Sequence, residues 1–161
     1  MEFQTEEQIE FFLKAVAAQT KSASDISEIL CEHSGRDKIS SDDIITGLIY
    51  RLMTPMEDSD INKYMKQIDE LFEKDTSSEE EEEEVFDDEI ITEPRVIQRN
   101  SCNCDLCIQA RVCLENYKNY ETIDPLGKIF HNSIKKTCQE YRLSIWAKKV
   151  ETLDHDYHQP K

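Results

Sequence analysis

Apolar residues recur every three or four positions over most of the first 74 residues, and each run follows a residue able to cap a helix. Ile9, Phe12, Leu13, Val16 and Ala17 form a continuous i, i+3, i+4 stripe, the spacing of an amphipathic helix. Thr5 and Gln8 stand at its start in capping-box spacing, so the hydroxyl can accept an orphan backbone N–H while the amide reaches back. Residues 19–23 weaken the stripe, and Ser24 can cap a second segment bearing Ile26, Ile29 and Leu30 that ends near Gly35. Periodicity allows two helices here or one long one. Ser40 caps the next helix, with Asp42 and Asp43 in its first turn, where the helix dipole favours negative charge. Its apolar positions are Ile44, Ile45, Leu48, Ile49, Leu52 and Met53, and Pro55 stops it. Gly47 sits among them at a cost of about 1 kcal/mol against Ala, which points to a close backbone approach. A further helix starts near Ser59 and carries Ile61, Tyr64, Met65, Ile68, Leu71 and Phe72 on one side.

From 75 to 101 the periodicity breaks. Six glutamates, Glu79, Glu80, Glu81, Glu82, Glu83 and Glu84, precede Val85, Phe86 and a further acidic triplet. Such a run buries too little apolar surface to offset its ordering entropy and predicts a disordered linker. Ile90, Ile91, Val96 and Ile97 suggest short extended pieces around Pro94. Helical spacing resumes after Cys102 and runs through Tyr117. Asp124 then caps a helix with Pro125 at its first position, which suits proline's missing N–H. Its stripe of Leu126, Ile129, Phe130, Ile134, Cys138, Tyr141, Ile145 and Trp146 predicts the longest helix of the chain, reaching about Val150. The expected organisation is mainly α: a helical, dimerising module over 5–74, an acidic linker over 75–101, a cysteine-bearing helical hairpin over 102–150 and a flexible tail over 151–161.

Charge supports that division. Residues 1–76 carry 8 basic and 17 acidic side chains, residues 77–93 carry 10 acidic and none basic, and residues 94–161 carry 11 basic and 8 acidic. The overall net charge of −16 disfavours nucleic acid, whose affinity comes from Lys and Arg neutralising phosphates, and favours basic partners such as histones. Phe86, set among Glu79–Glu84 and the acids that follow, is the candidate anchor for such a partner. Ser77 and Ser78 each have a glutamate three residues downstream, a pattern acidophilic kinases favour, and phosphates there would deepen the negative field. No apolar stretch reaches the ~18 residues of a membrane span, and the N-terminus lacks the basic start and apolar run of a signal peptide. A cytoplasmic or nuclear setting is therefore expected, where thiols stay reduced.

Six cysteines then read as core residues or metal ligands. Cys102, Cys104, Cys107 and Cys113 lie in the spacing C-x-C-x2-C-x5-C, and zinc takes four such soft ligands in a tetrahedron. Six positions along a helix would turn Cys107 and Cys113 apart, so the fourth ligand can instead be His131 or Cys138, returning from the last helix. Three readings stay open: zinc, small apolar residues packing a thin core, and redox chemistry. The last is disfavoured because no βαβ unit surrounds Cys104 and Cys107. His33 reads as a residue that caps or packs after the preceding helix, and His155 and His158 as part of a solvated tail. With three glycines in all, no phosphate-cradling loop exists, and neither H-E-x-x-H nor G-x-S-x-G occurs. The expectation is a non-enzyme.

Two resemblances add to this. Gly35-Arg36-Asp37-Lys38-Ile39-Ser40-Ser41-Asp42-Asp43-Ile44 through Leu48 resembles the second loop and third helix of a histone fold. That likeness implies a long central helix over 6–34 and a trailing one over 59–74, although Ser22–Ser24 interrupt the pattern and only Arg36 and Lys38 match DNA-contacting positions. Cys102, Cys104, Cys107, Tyr117, Tyr120, Pro125, Leu126, Ile129 and Ile134 resemble small C-x-C-x2-C proteins of nucleocytoplasmic large DNA viruses. This second likeness implies a viral origin, an infected-cell or virion setting and zinc, but no activity. Together these readings lead to an adaptor that oligomerises with itself or another helical protein. The alternatives are a histone-binding or histone-like factor, and a zinc-stabilised nucleic-acid binder using Lys135, Lys136, Arg142, Lys148 and Lys149.

Overall fold

The computed structural model describes residues 5–75 and 93–146. The chain is mainly helical, and its first helix, α1, runs unbroken over Glu6–His33. Thr5 Oγ1 accepts the Gln8 N–H at 3.2 Å, with Glu6 and Glu7 in the first turn. The residues that weaken the apolar stripe do not interrupt this helix. Ser27 donates its hydroxyl to the Ala23 carbonyl one turn back, and Ala18, Ser22, Ala23 and Ser27 are all buried. What reads as a gap is a stripe of small residues that lets another helix come close. Gly35 ends α1 with φ +74°, and the Arg36 N–H turns back to the Cys31 carbonyl, a glycine-dependent stop.

Helix α2, Ser41–Met53, starts at a full capping box between Ser40 and Asp43. Ile45 and Ile49 on it are wholly buried, and α1, α4 and α5 all pack around it. Gly47 makes the α1 contact close: a Cβ there would collide with Ser27 Oγ and lie 2.6 Å from the Ala23 carbonyl. Helix α3, Asp58–Asp75, lies on α1, where Ala18, Tyr64 and Ile68 form a small core and the Tyr64 hydroxyl donates to Asp25 at 2.7 Å.

Residues 95–101, counted with the linker by sequence, are instead part of the fold. Arg95–Val96 form strand β1, paired in parallel with β2, Leu143–Ser144, and Ile97 is 2% exposed. Arg95 donates both Nη atoms to Asp42 at 2.8 and 2.6 Å, tying β1 to the start of α2. Helix α4, Asp105–Asn116, continues into a 3-10 turn at Tyr117–Asn119. Helix α5, Pro125–Glu140, is capped by Asp124, whose carboxylate accepts the Gly127 N–H at 2.7 Å.

The expected extension of α5 to Val150 is corrected. The helix ends at Glu140, and Arg142 takes the left-handed φ of 52°. Leu143 and Ile145 are each 7% exposed, so the apolar period changes there from 3.6 to 2. The β1 pairing, with the Ile97 N–H donating to the Ser144 carbonyl at 2.8 Å, rewards that change, as does the Trp146 indole N–H on the Leu114 carbonyl at 2.8 Å. Helices α4 and α5 both rest on α2. Ile45 and Ile49 share one core with Ile97, Leu114, Ile134 and Leu143. The stretches that charge divides are joined through α2.

Candidate metal centre

A second cluster of buried residues joins the end of α1 to the start of α4, with Ile26 and Leu30 against Cys107 and Ala110. At its rim stand three of the sequence-predicted cysteines and a histidine from the last turn of α1. His33 Nδ1 lies 3.2 Å from Cys104 Sγ, 3.5 Å from Cys102 Sγ and 3.4 Å from Cys107 Sγ. All four ligand atoms fall within 4.8 Å of one another.

Local structure explains the convergence. Cys104 is the N-cap of α4, and its sulfur accepts the Cys107 N–H at 3.4 Å. The Cys102 sulfur accepts the Cys104 N–H at 3.5 Å, so the C-x-C-x2-C spacing wraps three sulfurs around one helix N-terminus. Such N–H groups favour the thiolate. The Cys107 backbone N–H, with weaker help from the Cys107, Cys102 and His33 side chains, draws the Cys104 thiol down from 9.0 to about 6 against the effect of burial. Burial, reinforced by the neighbouring sulfurs, pushes Cys107 up to about 11, with the Asn100 amide opposing. That amide donates to Cys107 Sγ at 3.0 Å. Arg111 holds the approach loop, its Nη1 donating to the carbonyls of Asn100 at 2.8 Å and Cys102 at 2.7 Å.

The arrangement fits a metal ion in donor type and in size. Three sulfurs and one imidazole make a Cys3His set, and tetrahedral coordination at usual bond lengths separates sulfur from nitrogen by about 3.6 Å. Cys107 is buried, whereas His33 is exposed and Cys102 and Cys104 are half-buried, leaving a route for an ion to enter. Asn100 and the backbone N–H groups supply the outer bonds that orient such ligands. The four residues can bind a metal ion.

The remaining predicted ligands lie elsewhere. Cys113 is buried in the central core beside Thr54, 3.6 Å from its hydroxyl, as its turn away from Cys107 along the helix requires. His131 Nδ1 is 2.7 Å from the Tyr117 hydroxyl, and Cys138 packs against the central core, where burial raises its thiol. The fourth member of the cluster is His33, upstream of the cysteines rather than downstream. Its position at the end of an apolar stripe resembles that of a capping residue, and no spacing links it to a run some 70 residues on. Phe86, Glu79–Glu84, Ser77 and Ser78 lie outside the described residues, as do Lys148 and Lys149. Among the described residues no helix is long and apolar enough to cross a membrane. The chain matches no family model, no curated protein and no solved structure.

Proposed function

We propose that this chain is a non-enzymatic interaction protein that self-associates through its N-terminal helices and is stapled by a structural zinc ion at His33, Cys102, Cys104 and Cys107. The observation that carries the zinc reading is the meeting of one imidazole and three sulfurs from two distant stretches within 4.8 Å. Zinc suits this set better than harder cations, which prefer oxygen, and four protein donors leave no open position of the kind catalysis uses. The ion would bind α1 to α4, a constraint valuable to a small two-part core.

Self-association rests on a separate feature. Two members of the α1 stripe are left largely uncovered by the described residues, Leu13 at 55% and Ile9 at 43% exposed. Leu71 and Phe72 of α3 are also exposed, and Phe72 joins Ile9 and Leu13 around a pocket at the same end of the molecule. A contiguous apolar face of this kind marks an interface, and a second copy offers the same apolar chemistry in return. The viral setting rests on the resemblance of residues 102–134 alone. A DNA-binding histone-like role is less favoured, because Arg36 is held by Asp43 through bonds of 2.8 and 2.7 Å.

Native mass spectrometry of untagged protein tests both parts. One zinc per chain, lost in Cys104→Ser and His33→Asn, and a dimer that falls to monomer in Ile9→Glu/Leu13→Glu are expected. A metal-free, folded wild type would overturn the staple. A monomer at micromolar concentration would overturn the self-association.

A further inference from the structure

Beside the cysteine–histidine cluster, a pocket of roughly 350 Å3 opens where the end of α1, the start of α2, segment 98–101 and α4 meet. Three arginines line it, Arg36, Arg99 and Arg111, against a single acidic residue, Asp43. That balance is unexpected in a chain of net charge −16. Arg36 and Asp43 answer one another through their two bonds. Arg99 pairs at 3.0 Å with Glu115, a largely exposed carboxylate that is not among the residues lining the pocket. It is also fixed by donating to the Ile145 carbonyl.

Arg111 differs from both. Its Nη1 donates only to neutral oxygens, the Asn100 carbonyl, the Asn100 side-chain oxygen at 3.1 Å and the Cys102 carbonyl. Among the described residues no carboxylate forms an ion pair with it. Its charge is therefore held in place without being neutralised. A guanidinium locked by backbone carbonyls is pre-organised for an anion, since little side-chain entropy remains to be lost on binding. Ser34, Thr46, Gln98, Asn100 and Ser101 add polar groups to a wall that also contains the apolar Leu30, Ala110 and Leu114, and a mainly polar lining suits a hydrated, multiply charged guest better than an apolar one.

We propose that this pocket is an anion site for a phosphoryl group, held between the guanidinium groups of Arg111 and Arg99. Two guanidinium groups carried by different segments of one pocket wall match a tetrahedral group with several acceptor oxygens better than a flat carboxylate, which one guanidinium satisfies. The volume leaves room for a small phosphate monoester as well as for free phosphate. This proposal goes beyond the staple and the self-association and depends on neither.

The test titrates the full chain with inorganic phosphate and, separately, with a nucleoside 5′-monophosphate. Calorimetry and the arginine side-chain N–H resonances are followed, at ionic strength held constant with sodium chloride. Saturable binding with shifts confined to the Arg99 and Arg111 resonances is expected. Arg99→Gln should weaken it about tenfold, the loss of one charge-assisted bond, while Lys66→Gln on exposed α3 leaves it unchanged. Tighter binding of the monoester would assign the site to phosphorylated small molecules; equal binding would assign it to free phosphate. Affinity unaltered in both Arg99→Gln and Arg111→Gln, or a response that sodium chloride alone reproduces, would overturn the proposal. Metal content is read on the same samples. If Arg111→Gln loses metal while phosphate binds neither it nor the wild type, Arg111 serves only to offset thiolate charge and the anion site is refuted. Phosphate binding by metal-free chain would sink the staple and leave this site standing.

Discussion

A single methyl group at position 47 would test how closely α1 and α2 approach. Gly47→Ala should gain about 1 kcal/mol of helix propensity, but the new Cβ meets Ser27 Oγ and the Ala23 carbonyl. Overpacking of a rigid contact commonly costs about 1–3 kcal/mol, so a net loss of stability in urea denaturation is expected. Adding Ser27→Ala should not fully restore it, because the carbonyl is backbone and stays. Asp43 offers a second test. Burial alone would push its carboxyl up, yet the bonds from Arg36 and from the Ser40 N–H and hydroxyl outweigh that and hold it below its ordinary value of 3.8. A carboxyl lowered by folding stabilises the fold fully above its unfolded value, and that share is lost as pH falls through the folded one. At pH 6 Asp43→Asn should therefore be less stable by about 1.5–3 kcal/mol. The gap between the two proteins should close as pH falls below about 4, which parallel urea titrations would show.

At the scale of elements, the segment after Pro94 is held by charge more than by strand. Asp42 is 5% exposed and accepts two bonds from Arg95 and one from the Gln98 N–H at 2.9 Å. Arg95→Met would leave a buried carboxylate short of its cation, at a cost of about 2–3 kcal/mol given the partial exposure of the pair. Hydrogen exchange at the Ile97 amide, bonded across to Ser144, should quicken, while amides in α3 stay protected. Legibility in the sequence follows the same lines. The caps at Thr5, Ser40 and Asp124 could be read because a capping bond is local, within three residues. The unity of α1 could not, because Ser22 and Ser27 are polar by type but buried as small surfaces, Ser27 against Gly47. The end of α5 was hidden for a related reason. Ile145 fits either period, and only pairing with Arg95–Val96, nearly fifty residues earlier, favours the strand.

For the molecule as a whole, charge divides the chain where packing joins it. Ile45 and Ile49 of the acidic N-terminal stretch lie in one core with Leu114 and Ile134 of the basic C-terminal one, and the cysteine–histidine cluster ties the same halves at a second place. Three of its four members were legible as a C-x-C-x2-C run. His33 was not, since its role depends on the packing of α1 against α4 rather than on any neighbour in sequence. These two connections make different predictions on metal removal. The central core contains no member of the cluster, so a chelated chain should stay helical and unfold in one transition. That transition should come on the order of 10 °C lower, the effect of losing a ligand bound far above its dissociation constant. Lost protection should concentrate in residues 98–110 and the last turn of α1, and Cys104→Ser should reproduce both effects without chelator. Cys113→Ser should retain the metal, because that thiol belongs to the central core. Protons compete with the metal for thiolate and imidazole, so the transition of the loaded wild type should also fall on acidification, more steeply than that of Cys104→Ser. Equal slopes in the two proteins would mean that the cluster contributes no metal-linked stability and that the halves are joined by packing alone.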